Sequence, residues 1–248
     1  MFTCIERSAR RSRLRPARMQ LSKVAVPGGS PFYILRANAR VPADELFRLA
    51  LRCAPVVLTN LPIPEHAPVR AFEPYAFPLR RAAYALQCLL REAALPGQQI
   101  TIGIRDPRGA LCGSVCAFLP YAADVRIVTQ NAAAFDADVL HASREWGAGL
   151  TAGEDEALLH GCMFHLGPDR CTVADRTIIV PQPAVLPQKY ESRRPPFLEP
   201  ELFCAALSEL CGVDMSGETF QGGVIYDGRA VDFTQAAAML RTQFGFRN

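Results

Sequence analysis

The stretch from residue 98 to residue 183 limits what this chain can fold into more than any other, because short apolar runs alternate there with segments of helical spacing. Ile100–Ile104, Val125–Thr129, Ala148–Thr151, Met163–Leu166 and Thr177–Val180 read as strands, while Ala110–Tyr121, Phe135–Trp146 and Glu154–His160 read as helices. Apolar strands separated by helices join through right-handed crossovers into a sheet buried on both faces. The spacing therefore predicts an α/β fold with a mostly parallel sheet and helices on both faces.

The flanks divide the rest of the chain into three further regions. Residues 1–20 read as a basic N-terminal arm. Residues 21–97 read as an α/β lead-in: strands at Lys23–Val26 and Phe32–Arg36 around Pro27-Gly28-Gly29-Ser30, a helix over 44–53, a strand at Val56–Thr59 and a helix over 79–94. Residues 184–248 read as a Pro-rich loop followed by two helices, 200–211 and 234–244, that pack back on the 98–183 core. Between those helices, 217–228 reads as a loop or short hairpin.

Charge narrows the classes of partner. The formal net charge is +3, and it resides in the arm, where Arg7, Arg10, Arg11, Arg13, Arg15 and Arg18 face only Glu6. A near-neutral body lacks the clustered basic face that nucleic acid requires, so a nucleic-acid partner is not expected apart from the arm. The arm has three readings, in this order: a solvated or helical arm with no specific partner, one variant of which is an upstream extension with Met19 as the start; an electrostatic contact to RNA, DNA or anionic lipid; and an organellar targeting peptide. No run of 18 apolar residues or secretory signal is present, which points to a cytoplasmic protein without a membrane partner. Nine cysteines without a Cys-x-x-Cys pair read as reduced thiols, and Cys112 and Cys116 as core residues, not metal ligands.

The order of strand Ile100–Ile104, Gly-containing turn, helix, strand Val125–Thr129, helix and strand Met163–Leu166 closed by Gly167-Pro168 resembles the Rossmann-fold NAD(P)-binding domains. That resemblance implies phosphates held at the turn after the first strand, where glycines let the backbone approach a diphosphate. The turn reads Gly103-Ile104-Arg105-Asp106-Pro107-Arg108-Gly109-Ala110-Leu111-Cys112-Gly113, without the Gly-x-Gly-x-x-Gly fingerprint. Gly109 and Gly113 fall in suitable places, and Arg105 and Arg108 offset the carboxylate of Asp106. Where the family carries an acid for the ribose, this chain has Thr129-Gln130-Asn131, whose Thr129 and Asn131 are the candidate ribose contacts. Gly167 is the remaining candidate contact, at the end of its strand.

Catalytic candidates are few. His165 lies in or at the end of a strand and reads first as a hydrogen-bonded core histidine; Asp106 reads first as a turn former and second as an orienting acid. Three functions follow in order: a Rossmann-like protein binding a small molecule or nucleotide without a standard dinucleotide motif, an atypical NAD(P)-dependent oxidoreductase, and a protein-interaction or regulatory module. The sequence fixes neither the cofactor, with NAD(P) the one the resemblance implies, nor the oligomeric state, with homo-oligomers left open.

Overall fold

The computed structural model describes residues 1–8, 18–168, 170–174, 177–215, 219 and 222–245. The chain is α/β and divides into two compact units, one built from 1–74 and 184–219, the other from 75–183 and 220–248. Neither of the expected divisions at 20 and 97 is a unit boundary, whereas the one at 183 is. The helix ending the lead-in joins the second unit, and the region after 184 is shared between both.

In the first unit, strands β1 (Thr3–Arg7), β2 (Met19–Val24), β3 (Phe32–Ala37), β4 (Val56–Thr59) and β5 (Arg70–Ala71) form one sheet in the order β2-β3-β1-β4-β5. Only the β2–β3 hairpin is antiparallel. The start of the expected arm is thus the middle strand of a sheet. Its apolar Cys4 and Ile5 outweigh the neighbouring charge, and both are fully buried. Arg10, Arg11, Arg13 and Arg15 lie outside the described residues.

Period-two alternation decides which side each residue of this sheet faces. Ile5, Leu35 and Val57 meet Leu46, Phe47 and Ala50 of helix α1 (Ala43–Cys53). At positions of opposite parity, Phe2, just before β1, stacks on Phe32 of β3 at 4.8 Å, and Phe32 meets Phe203 edge-on at 5.6 Å. Phe203 belongs to a later helix, numbered below as α5.

The second unit holds helix α2 (Ala76–Ala93), strands β6 (Thr101–Arg105) and β7 (Asp124–Val128), helix α3 (Asp136–His141), and strands β8 (Gly149–Gly153), β9 (Phe164–Leu166), β10 (Cys171–Val173) and β11 (Thr177–Pro181). The chain then gives α4 (Gln188–Glu191) and α5 (Pro200–Cys211) to the first unit, and returns with β12 (Val224–Tyr226), β13 (Arg229–Val231) and α6 (Phe233–Gln243). Asp232 caps α6 by accepting from the Gln235 N–H at 2.7 Å.

The second sheet runs β13-β12-β11-β10-β9-β6-β7-β8. Strands β9, β6, β7 and β8 are parallel, whereas β9 to β13 pair antiparallel. Thr177–Val180, expected in the parallel set, therefore sits in an antiparallel meander, and Cys171–Val173 is a strand that the spacing does not reveal. Helices do not cover both faces equally. Leu79, Leu86 and Leu90 of α2, Ala236 and Leu240 of α6, and Val115, Phe118, Phe135 and Ala142 share one cluster with Ile102, Ile104, Val125, Ile127, Phe164 and Val173. On the opposite side of β6, the 3-10 turn Glu156–Leu159 lies against Gly103.

That approach is close. A Cβ at Gly103 would lie 2.9 Å from Leu159 Cδ2 and 3.1 Å from Cys162 Sγ. Gly103→Val is expected to push the 156–159 turn off the sheet and to cost about 1–3 kcal/mol. Urea denaturation checks this, and an unchanged midpoint would refute the tight fit.

The expected helix over Ala110–Tyr121 is the main departure in this unit. It is a run of turns on either side of a 3-10 segment, Val115–Phe118. Gly109, just before the run, and Gly113, within it, both take positive φ, 72° and 75°, a conformation that an α-helix does not pass through. The apolar character that suggests a helix instead reflects burial of Leu111, Val115 and Phe118.

A strand-end cavity and a carboxylate-filled loop

The β6–β7 loop is organised by Asp106, which is completely buried. Its Oδ1 accepts from Tyr75 Oη at 2.8 Å and from the Ala110 N–H at 2.9 Å, and its Oδ2 accepts from the Leu111 N–H at 2.8 Å. The Gly109 N–H donates to the Asp106 carbonyl at 3.2 Å. Burial and the adjacent carboxylate raise the Tyr75 phenol above its ordinary range. The Arg108 guanidinium lies 4.6 Å from the centre of the Tyr75 ring. Asp106 thus holds the loop through both of its carboxylate oxygens.

A second carboxylate completes the loop. The Gly113 N–H donates to Asp138 Oδ2 at 2.8 Å, and Asp138 comes from the first turn of α3, where a negative charge suits the helix dipole. The Cys116 thiol donates to Asp138 Oδ1 at 3.5 Å. Desolvation, then Asp138, push that thiol up to about 11. Cys112 is exposed and donates to the Ala134 carbonyl at 2.9 Å.

A raised thiol pKa keeps Cys116 protonated through neutral pH, so its thiolate is scarce until the pH approaches 11. At pH 8, iodoacetamide is expected to label Cys112 first, with Cys116 about a hundredfold slower than a thiol of ordinary pKa. The Cys116 rate should keep rising to about pH 11. Peptide mass spectrometry reads both rates, and a Cys116 rate that levels off near pH 9 would contradict the assignment.

Beside this loop, at the C-terminal ends of β6, β7 and β8, is a cavity of about 160 Å³ lined by Arg105, Pro107, Val128, Thr129, Gln130, Glu154 and Glu156. Each wall has a local cause. The Thr129 N–H donates to the Gly153 carbonyl at 2.8 Å, extending the β7–β8 ladder by one residue, and Thr129 Oγ1 accepts from the Asn131 N–H at 3.2 Å. The Gln130 N–H donates to the Pro107 carbonyl at 3.3 Å. Asp155 caps the 156–159 turn through the Ala157 N–H at 2.8 Å. Arg126, paired with Asp124 at 2.6 Å, donates to the Leu158 and His160 carbonyls and fixes the end of that turn.

At the rim, Arg105 pairs with Glu156 at 2.6 Å, both side chains 58% exposed. Solvent screens such a pair, so it contributes little stability. The lining carries two carboxylates against one guanidinium.

Of the residues singled out in the sequence, the cavity brings Thr129 to its wall, with Asn131 bonded behind it. Gly109 and Gly113 shape the neighbouring loop. Gly167 turns the chain from β9 into β10, donating to the Arg170 carbonyl at 2.9 Å. His165 lies mid-strand in β9, in register with Gly103 and Thr172, and does not line the cavity. Asp138, Glu154 and Glu156 were missed. No local signal marks Asp138, whose partner Gly113 is 25 positions away, whereas two glutamates directly after a strand are a visible cue for a strand-end site.

A diphosphate laid on the β6–β7 loop would meet two buried carboxylates in place of free amides. The loop does not fit the group that the family resemblance implies. Among the described residues, no set of three or more His, Cys, Asp or Glu side chains is placed to hold a metal ion, and no helix is long and apolar enough to cross a membrane. No family model, curated protein or solved structure matches the chain.

Proposed function

We propose that this is a Rossmann-like small-molecule-binding protein whose ligand occupies the cavity at the ends of β6, β7 and β8. The observation that carries the reading is the position of that cavity. In parallel α/β sheets, ligands lie outside the carboxyl ends of the strands, next to the point where strand order reverses. The order β8-β7-β6-β9 reverses beside β6, and Arg105, at the end of β6, lines the cavity. A volume of about 160 Å³ is below the roughly 300–1,000 Å³ of sites for drug-sized molecules, so the ligand is small or only partly enclosed.

The test is a thermal-shift screen of the purified protein with NAD, NADP, FAD, S-adenosylmethionine, ATP, GTP, nucleosides, amino acids and polyamines. A ligand at about 100 times its Kd adds roughly 2.7 kcal/mol, several degrees at this size. Gln130→Trp, which fills the cavity from an exposed position, should abolish the shift. A shift that survives Gln130→Trp, or no shift with any compound, overturns the assignment.

A further inference from the structure

We infer that the ligand of this cavity carries no phosphate and is a neutral or cationic molecule rich in hydroxyl or ammonium donors. The inference rests on the cavity reading above and names the chemistry of its occupant.

Phosphate recognition at a strand-to-helix turn depends on backbone N–H groups aimed at open space. Here the Ala110 and Leu111 N–H groups end on Asp106, and the Gly113 N–H ends on Asp138. Both carboxylates are buried, Asp106 fully and Asp138 with 7% exposure. They occupy the donors that a phosphate oxygen would use, and their negative charge repels one. Displacing either would leave a carboxylate without its hydrogen bonds in a low-dielectric setting, a costly exchange.

The cavity wall has the same preference. Glu154 and Glu156 outnumber Arg105, and Arg105 already has Glu156 as a partner at 2.6 Å. Carboxylates only accept hydrogen bonds, so a complementary ligand supplies donors. Ribose-type diols and primary ammonium groups do so; phosphate esters add acceptors and negative charge.

Two measurements test this. The first is calorimetric titration with matched pairs that differ by one phosphate: adenosine and adenosine 5′-monophosphate, ribose and ribose 5-phosphate, ethanolamine and phosphoethanolamine. The unphosphorylated member is expected to bind more tightly by about tenfold or more. Equal or tighter binding of the phosphorylated member overturns the inference.

The second needs no ligand in the cavity. Inorganic phosphate is titrated into the ¹⁵N-labelled protein while the amide signals of Ala110, Leu111 and Gly113 are followed. Those signals are expected to stay unshifted in the wild type and, at Gly113, to respond in Asp138→Ser. Saturable shifts in the wild type overturn the inference. If no pair binds at all, the cavity reading fails, and the amide titration still decides whether the loop is closed to phosphate.

Discussion

Asp106→Ala is expected to lower the unfolding free energy by about 3–5 kcal/mol, because it leaves a cluster of donors without an acceptor. Tyr75 Oη and the amides of Ala110 and Leu111 all end on that one buried carboxylate. Asp106→Asn keeps one acceptor oxygen but turns an N–H₂ group toward a donor, and about half the loss is expected. Tyr75→Phe removes the hydroxyl that donates to Asp106 and accepts, at 3.5 Å, from the Arg108 N–H, and should cost about 1 kcal/mol. Urea denaturation gives the three values, and hydrogen exchange at Ala110 and Leu111 shows whether the loop itself has loosened. A cost below about 1 kcal/mol for Asp106→Ala would mean that something else holds these amides.

Phe164→Ala is expected to cost about 3–5 kcal/mol by opening a cavity in the middle of the second sheet. Phe164 is fully buried and lies on β9, the strand that pairs parallel with β6 and antiparallel with β10. Its ring centre is 6.2 Å from that of Phe244. Ile178, two strands away and 43% exposed, points to the side not covered by α2 and α6, and Ile178→Ala should change stability by about 0.5 kcal/mol at most. Denaturation midpoints for both variants check the assignment of faces, and a reversed order of effects would refute it.

Much of the fold was legible where one local rule governed a whole element. Val56–Thr59 is dense in β-branched residues, and Pro200–Cys211 has a proline at its start and Gly212 just past its end; both elements occupy those residues. Legibility failed where distant partners decided the outcome. The run Ala110–Tyr121 is apolar enough for a helix, but two positive-φ glycines and carboxylates from outside the run pulled its backbone into turns. Thr3–Arg7 was hidden by the arginines around it, since its burial depends on β3 and β4, more than 25 positions away in sequence. Strand direction was equally hidden: apolar runs look alike whether the next strand returns at once, as β10 does, or after a crossover. At the site, the place of Thr129 after a strand was a visible cue, and it lies in the cavity wall. Asp138 had no such cue, because its role is defined by an amide on another loop.

The division of the chain has a consequence for its synthesis. Residues 75–183 are completed by β12, β13 and α6, while residues 1–74 share a unit with α4 and α5. A nascent chain therefore leaves the ribosome with its first sheet formed in principle but its α5 face uncovered, and makes most of the second sheet before that cover exists. The first unit is complete only once residue 219 is made and the second only after β12, β13 and α6 follow it, so vectorial synthesis gives this protein little of the head start enjoyed by domains arranged in series. Ending translation at residue 183 would leave both units unfinished, and such a product is expected to aggregate.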